Sequence, residues 1–121
     1  MNIHESAEDY LETILILKER NGYVRSIDIV KELEVSKPSV SVAMKKLREN
    51  GYIEMNVDGF ISLLPSGLEI ARKVYGRHKI LAEFFVNIGV SEETASHDAC
   101  KIEHDISEET FNAIRKIVEG R

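Results

Sequence analysis

The segment Val35-Ser36-Lys37-Pro38 constrains the fold most strongly, because it separates two short amphipathic patterns. A helix is predicted before it over Ser26–Leu33, and a second helical pattern after it runs over Ser39–Gly51 and stops at an Asn-Gly pair. Ser36 is suited to the N-cap of this second helix, and Pro38 is tolerated in a first turn. Two short helices joined by a tight turn form a helix-turn-helix.

The sequence before this unit predicts one more helix, over Glu5–Arg20. Its apolar positions recur at helical spacing, Ser6 is a candidate cap, and Asn21-Gly22 is the expected stop. Asp9 and Glu12 lie one turn apart on this helix, so both carboxylates can point at a common object. Alternatively, acidic residues in a first turn simply interact favourably with the helix dipole.

The sequence after it predicts two strands, Tyr52–Val57 and Phe60–Leu64, around an Asp58-Gly59 turn. Asp-Gly between alternating apolar residues is a strong hairpin signal. A hairpin directly after a helix-turn-helix is a wing. The order of these elements predicts a winged-helix DNA-binding domain over residues 1 to 64.

Charge supports this interpretation, although the chain of 121 residues is acidic overall, with a net charge of -5. From Ser36 to Arg48 there are four basic residues and no acidic one, a formal charge of +4. A basic element in an acidic protein is typical of phosphate binding, although solvated surface lysines would look the same. An outward Val42 could meet a thymine methyl in the major groove. The predicted DNA-contacting residues are Arg25, Ser36, Lys37, Pro38, Ser39, Ser41, Val42, Lys45 and Lys46.

Residues 65 to 121 are predicted to form a helical metal-binding and dimerisation domain, so the chain as a whole is expected to be mainly α. A long connecting helix is expected over residues 65 to 88, a second helix begins after the cap Ser91, and a third follows the cap Ser107. The last helix carries an apolar stripe larger than so short a domain can bury by itself. We therefore expect a symmetric homodimer through residues from about Ile88 to Val118.

Candidate metal ligands cluster in the second of these helices. If the segment is helical, Cys100, Glu103 and His104 sit at i, i+3 and i+4 and share a face. A thiolate, a carboxylate and an imidazole together suit a divalent transition ion. His78 falls in the apolar stripe of the connecting helix, where a histidine is more often a core residue with one hydrogen bond than a ligand.

The order and spacing of four short pieces resemble the diphtheria toxin repressor family of iron- and manganese-dependent repressors. The pieces are Glu8-Asp9-Tyr10-Leu11-Glu12, Pro38-Ser39-Val40-Ser41, Tyr75-Gly76-Arg77-His78 and Cys100-Lys101-Ile102-Glu103-His104. The resemblance implies that the metal ligands are Asp9, Glu12, His78, Cys100, Glu103 and His104.

The resemblance leaves the metal open, because this chain mixes two patterns. The manganese-sensing branch has glutamate at the position of Cys100, whereas the iron-sensing branch has cysteine there and methionine at the position of Asp9. The expected cofactor is therefore Mn(II) or Fe(II). The SH3-like third domain of many iron-sensing relatives is not expected in this chain, Ala82 replaces an acidic ligand of their second site, and His97 is interpreted as a surface residue.

These observations predict a cytoplasmic repressor of iron or manganese uptake genes that binds double-stranded operator DNA. Metal is expected to relieve repulsion among Asp9, Glu12 and Glu103 and to fix the spacing of the two recognition helices, which lowers the cost of engaging two half-sites. A winged-helix regulator that is not controlled by metal is the alternative. An enzyme is disfavoured because no loop would form a substrate cleft, and neither a membrane segment nor a small-molecule substrate is expected.

Overall fold

The computed structural model describes residues 5 to 120 and is mainly helical, as predicted. Its elements in chain order are α1 (Glu5–Asn21), α2 (Ser26–Leu33), α3 (Lys37–Glu49), β1 (Ile53–Met55), β2 (Ile61–Leu63), α4 (Pro65–Asn87), α5 (Glu92–Ile102) and α6 (Glu108–Val118). The chain divides into two compact units, the first reaching Arg72 and the second beginning at Lys73. Within residues 5 to 120, no helix combines the length and the apolar character needed to cross a membrane.

The first unit is a helix-turn-helix followed by a hairpin. The stripe Val40, Met44 and Leu47 of α3 is buried, as its i, i+4, i+7 spacing predicts. The prediction that Ser36 caps α3 is confirmed, since its Oγ accepts a hydrogen bond from Ser39 N at 3.2 Å. In contrast, Ser6 lies inside α1, so its assignment as a cap was wrong.

The hairpin is shorter than predicted. β1 and β2 are antiparallel, with Glu54 opposite Ser62. The loop is closed by a hydrogen bond from Asn56 N to the carbonyl of Phe60 (3.0 Å) and by one from Gly59 N to the carbonyl of Asn56 (3.0 Å). Gly59 has φ +85°, the left-handed conformation that glycine adopts at no steric cost. The connection is therefore a three-residue loop rather than a two-residue Asp-Gly turn.

The start of α4 packs against this hairpin at Gly67, a buried residue. A Cβ built on Gly67 would lie 2.2 Å from the carbonyl oxygen of Tyr52. The same carbonyl accepts a hydrogen bond from Leu64 N at 2.9 Å, and Ser66 Oγ donates to the carbonyl of Gly51 at 2.9 Å. Only glycine leaves room for the backbone at Tyr52, directly before β1, to approach α4 so closely.

The second unit has its own core of Leu81, Ala99 and Phe111. Both predicted serine caps are confirmed: Ser91 Oγ accepts from Thr94 N at 3.3 Å and Ser107 Oγ accepts from Thr110 N at 3.1 Å. α5 ends at Ile102 and Glu103 is its C-cap, with helical dihedral angles and an N–H that donates to the carbonyl of Ala99 at 3.0 Å, so the helical premise holds as far as Glu103 but not for His104. These two residues lie in the turn between α5 and α6.

Candidate metal centre and DNA-binding surface

Glu103 is the centre of the polar cluster in the second unit. It is 1% exposed, although it is an acidic residue in a turn. Its Oε2 lies 2.9 Å from Nδ1 of His78, 25 residues earlier in the chain. In the tautomer that carries a proton on Nδ1, the imidazole donates to this carboxylate oxygen. His78 is therefore more than a core histidine, because it fixes the orientation of a buried carboxylate.

The other carboxylate oxygen of Glu103 is less well satisfied. Oε1 lies 3.5 Å from Nε2 of His104, and within residues 5 to 120 it is buried without a hydrogen-bond partner. A buried carboxylate oxygen that lacks a partner is costly. A cation would remove that cost, and imidazole and carboxylate groups are suitable ligands for divalent transition ions. The donor set therefore fits such an ion.

The second ring nitrogen of His78 is also engaged. Ser96 Oγ lies 3.3 Å from Nε2, which accepts from the serine hydroxyl when Nδ1 carries the proton. The imidazole thus links a hydroxyl on α5 to the carboxylate that follows α5. Coordination of an ion by His78 would replace one of these two hydrogen bonds.

Arg77 holds the backbone of the same turn. Its Nη1 donates to the carbonyl oxygens of Glu103 (3.2 Å) and Ile106 (3.1 Å), and its Nη2 donates to Oε1 of Glu108 (3.2 Å). Only 11% of the Arg77 side chain is exposed. The sequence analysis missed this residue, although its position directly before His78, on a helix predicted to face the core, was the available signal.

The remaining predicted ligands differ in exposure. Cys100 is exposed on the last turn of α5 and Glu103 is buried, but a carboxylate oxygen of Glu103 lies within 4.8 Å of the Cys100 Sγ, as their i, i+3 spacing predicts. In the first unit, Glu12 is 6% exposed and Asp9 is partly buried, both on α1. A carboxylate as buried as Glu12 is not a solvated residue that only complements the helix dipole. As predicted, His97 is exposed, with Nδ1 3.9 Å from Asp98.

The predicted DNA-contacting residues all lie on the surface of the first unit. Val42 is 55% exposed on α3, so its side chain is accessible to a partner. Ser36 and Ser39 are joined by a hydrogen bond between their hydroxyls (2.8 Å), so they are partly engaged in capping. Arg25 is the N-cap residue of α2, and its backbone N donates to the carboxylate of Asp28 at 2.9 Å.

Comparison with known proteins identifies both units. Residues 2–59 match the model of the iron dependent repressor N-terminal DNA binding domain, and residues 64–120 match the model of the iron dependent repressor metal binding and dimerisation domain. The chain is 36% identical over 117 residues to an uncharacterised HTH-type transcriptional regulator of Methanocaldococcus jannaschii, covering 95% of this chain and 94% of the other. It is 39% identical over 112 residues to the transcriptional regulator MntR of Geobacillus thermodenitrificans, covering 93% and 77%.

Solved structures of similar proteins have the same fold. The IdeR structure from T. acidophilum superposes with a TM-score of 0.82 at 29% identity, covering all of this chain and 56% of that one. A manganese-dependent transcriptional repressor in complex with manganese gives a TM-score of 0.86 at 26% identity, covering 95% and 53%. This chain thus spans little more than half the length of these two. The resemblance drawn from the four motifs is confirmed, and the chain belongs to the iron-dependent repressor family of DNA-binding transcription regulators.

Proposed function

We propose that this protein is a transcriptional repressor that binds its operator when Mn(II) or Fe(II) occupies a site formed by Asp9, Glu12, His78, Cys100, Glu103 and His104. The observation that carries the proposal is the buried carboxylate of Glu103. One of its oxygens is held by His78, and the other is buried beside His104 without a hydrogen bond from any described residue. Such an arrangement is costly without a cation and favourable with one.

The two carboxylates of α1 are assigned to the same site. Glu12 is buried and Asp9 lies one turn before it, so both are presented from one side of the helix. Without a cation, Asp9, Glu12 and Glu103 repel one another. A bound divalent ion would supply the positive charge that offsets this repulsion. These side chains would then hold α1 in the orientation required for operator binding.

DNA recognition is assigned to α3 and to the residue that caps α2. The basic residues Lys37, Lys45 and Lys46 are exposed on α3, as expected for contacts with phosphates. The exposed Val42 lies among them and is the candidate for a base contact. In this proposal the basic side chains provide affinity, and Val42 contributes to sequence selection.

Dimerisation is assigned to the apolar surface of the second unit. Ile88 and Ile117 are 63% and 65% exposed, and Val86 is also exposed. Apolar side chains of this size are typical of a surface that a second copy of the chain covers. Two copies would present two recognition helices to two half-sites. Because the protein binds operator DNA in this proposal, it is also assigned to the cytoplasm, as expected from the sequence.

The match of residues 64–120 to a metal-binding domain argues against a winged-helix regulator that is not controlled by metal. The family consists of transcription regulators and gives no support to an enzymatic role. Manganese is named for the solved manganese-dependent repressor to which the chain is similar, and iron is named in the family description. Uptake genes for either metal are the proposed targets.

The proposal is tested by selecting operator sequences from a random pool of DNA duplexes with Mn(II) present. Affinity for the selected duplex is then titrated with Mn(II), Fe(II), Co(II) and Zn(II), and with a chelator. Activation by one or more ions is expected, with a coupling of about 1–3 kcal/mol, or roughly 5- to 150-fold. Equal affinity with chelator and with every ion would refute metal control while leaving DNA binding intact.

A further inference from the structure

The wing carries no basic residue. From Tyr52 to Leu64 the charged residues are Glu54 and Asp58, both exposed and both acidic. The residue at its tip, Val57, is fully exposed. Acidic side chains are repelled by phosphates, so direct contacts of this hairpin do not supply electrostatic affinity for DNA. An electrostatic contribution of the wing to DNA binding therefore requires a basic residue outside it.

A backbone hydrogen bond identifies that residue. The N–H of Ile61, the first residue of β2, donates to the carbonyl of Val24 at 2.8 Å. This bond joins the wing to the extended segment that precedes α2. It brings the two neighbouring residues, Phe60 and Arg25, side by side, with the guanidinium carbon of Arg25 4.3 Å from the centre of the Phe60 ring.

Contacts with Asn56 and Tyr23 fix the position of the Phe60 ring. Asn56 Oδ1 accepts from Phe60 N at 3.0 Å, and the carbonyl of Phe60 accepts from Asn56 N at 3.0 Å. Tyr23 packs edge-on against the ring, with centroids 5.9 Å apart and planes at 84°. The Arg25 side chain therefore rests on a surface fixed by the hairpin, whereas a long exposed arginine ordinarily samples many rotamers.

We propose that Phe60 is a positioning residue, which holds the Arg25 guanidinium ready to bind a phosphate of the operator. This inference rests on the proposed contact of Arg25 with DNA. A guanidinium stacked on an aromatic face keeps its N–H groups at the edge of the plane, where they remain free to donate to phosphate oxygens. The acidic wing thus serves DNA binding through the ring beneath Arg25.

The first test is Phe60→Leu in the full-length protein, with affinity for the selected operator duplex measured under activating metal. We expect affinity to fall about two- to fivefold for each bound subunit, as an exposed cation–π contact predicts. Phe60→Tyr keeps the ring and should restore the affinity. The matched control Val57→Ala removes an apolar side chain elsewhere in the wing and should leave the affinity for the operator unchanged. Melting temperatures of all three variants report any loss of folding.

A double-mutant cycle with Arg25→Ala separates positioning from a general effect on the fold. If Phe60 acts through Arg25, Phe60→Leu causes no further loss of affinity once Arg25 is alanine. If the ring only supports the hairpin, the loss is the same in both backgrounds, and the proposal is wrong.

Salt dependence provides a second readout. Arg25→Ala should reduce the slope of log affinity against log salt by about one for each subunit, because one phosphate contact is lost. Phe60→Leu keeps the charge and should keep the slope. If Arg25→Ala changes neither affinity nor slope, the assigned phosphate contact and this inference both fail. Metal-activated DNA binding by the other residues would still stand.

Discussion

Nδ1 of His78 on α4 lies 2.9 Å from Oε2 of Glu103, in the turn after α5. The preceding residue of α4, Arg77, donates to the backbone carbonyl of Glu103. Two consecutive residues therefore hold one glutamate, one by its carboxylate and the other by its backbone. This double attachment explains how an acidic side chain stays buried and oriented in a turn that lacks regular secondary structure.

Glu103→Gln should abolish activation by metal. The amide has nearly the same volume but no negative charge, so we expect metal affinity to fall by more than about 100-fold, beyond the loss typical of an outer-shell partner. Titration calorimetry with Mn(II) measures the metal affinity directly. Glu93→Gln makes the same change at an exposed position in the first turn of α5 and is the control. Equal metal affinity of the two variants would remove Glu103 from the site.

Arg77→Met should destabilise the second unit. Methionine preserves much of the side-chain volume but leaves the carbonyls of Glu103 and Ile106 without their donor, at a cost of about 1–3 kcal/mol in free energy of unfolding. Urea denaturation measures this change in the free energy of unfolding. Glu108→Gln removes the exposed ion pairs of this carboxylate with Arg77 and Lys73 and should cost less than about 1 kcal/mol. Similar costs for both variants would mean that the carbonyl contacts contribute little.

Gly67→Ala should lower the free energy of unfolding and Gly76→Ala should raise it, although both glycines lie in α4. A methyl group on Gly67 would collide with the carbonyl of Tyr52, and overpacking of this kind costs about 1–3 kcal/mol. A methyl group on Gly76 meets no atom within 4 Å among the described residues, so the higher helix propensity of alanine should stabilise by up to about 1 kcal/mol. Thermal denaturation of the two variants measures the difference. A stabilising Gly67→Ala would contradict the close approach of the Tyr52 carbonyl to α4.

Val42→Ala and Lys45→Ala should affect DNA binding in different ways. Loss of an apolar base contact at Val42 should weaken binding to the selected operator by about 1 kcal/mol and relax preference at one base pair, with an unchanged salt slope. Loss of a phosphate contact at Lys45 should weaken binding to all sequences and reduce the slope by about one per subunit. Competition with single-base operator variants distinguishes them. Unchanged base preference in Val42→Ala would exclude a base contact at this position.

Cys100→Glu should shift metal preference toward Mn(II). A carboxylate is a harder ligand than a thiolate, and Mn(II) prefers oxygen ligands. Because Cys100 is exposed, the substitution should not change the melting temperature. The ratio of operator affinities with Mn(II) and with Fe(II), measured without oxygen, reports the shift. An unchanged ratio would assign selectivity to Asp9 or to the buried ligands instead.

Local features of this fold were predictable from the sequence, because their causes lie within a few residues. The serine caps Ser36, Ser91 and Ser107 each accept from a backbone N–H three residues later, so the signal and the structure share one short segment. The hairpin was found from Asp58-Gly59, but its loop length was not. That length depends on the hydrogen bonds of Asn56, which the residue pattern does not specify.

Features that depend on contacts between distant residues were harder to predict from the sequence. The pairing of His78 with Glu103 joins residues 25 positions apart, and the sequence offered only two candidate ligands on separate elements. The helical pattern extends only to the C-cap Glu103, and His104 lies beyond it, where the turn held by Arg77 begins. The stacking of Arg25 on Phe60 depends on a backbone bond between Val24 and Ile61, for which no local pattern exists.

Because Glu103 is buried and Cys100 is exposed on the preceding helix, the two proposed ligands differ in how readily they can be substituted. A substitution at Cys100 requires no repacking of the core. A substitution at Glu103 disturbs the imidazole that holds its carboxylate. In the proposed site, one codon could therefore change the metal preference, while the buried pair of His78 and Glu103 is kept.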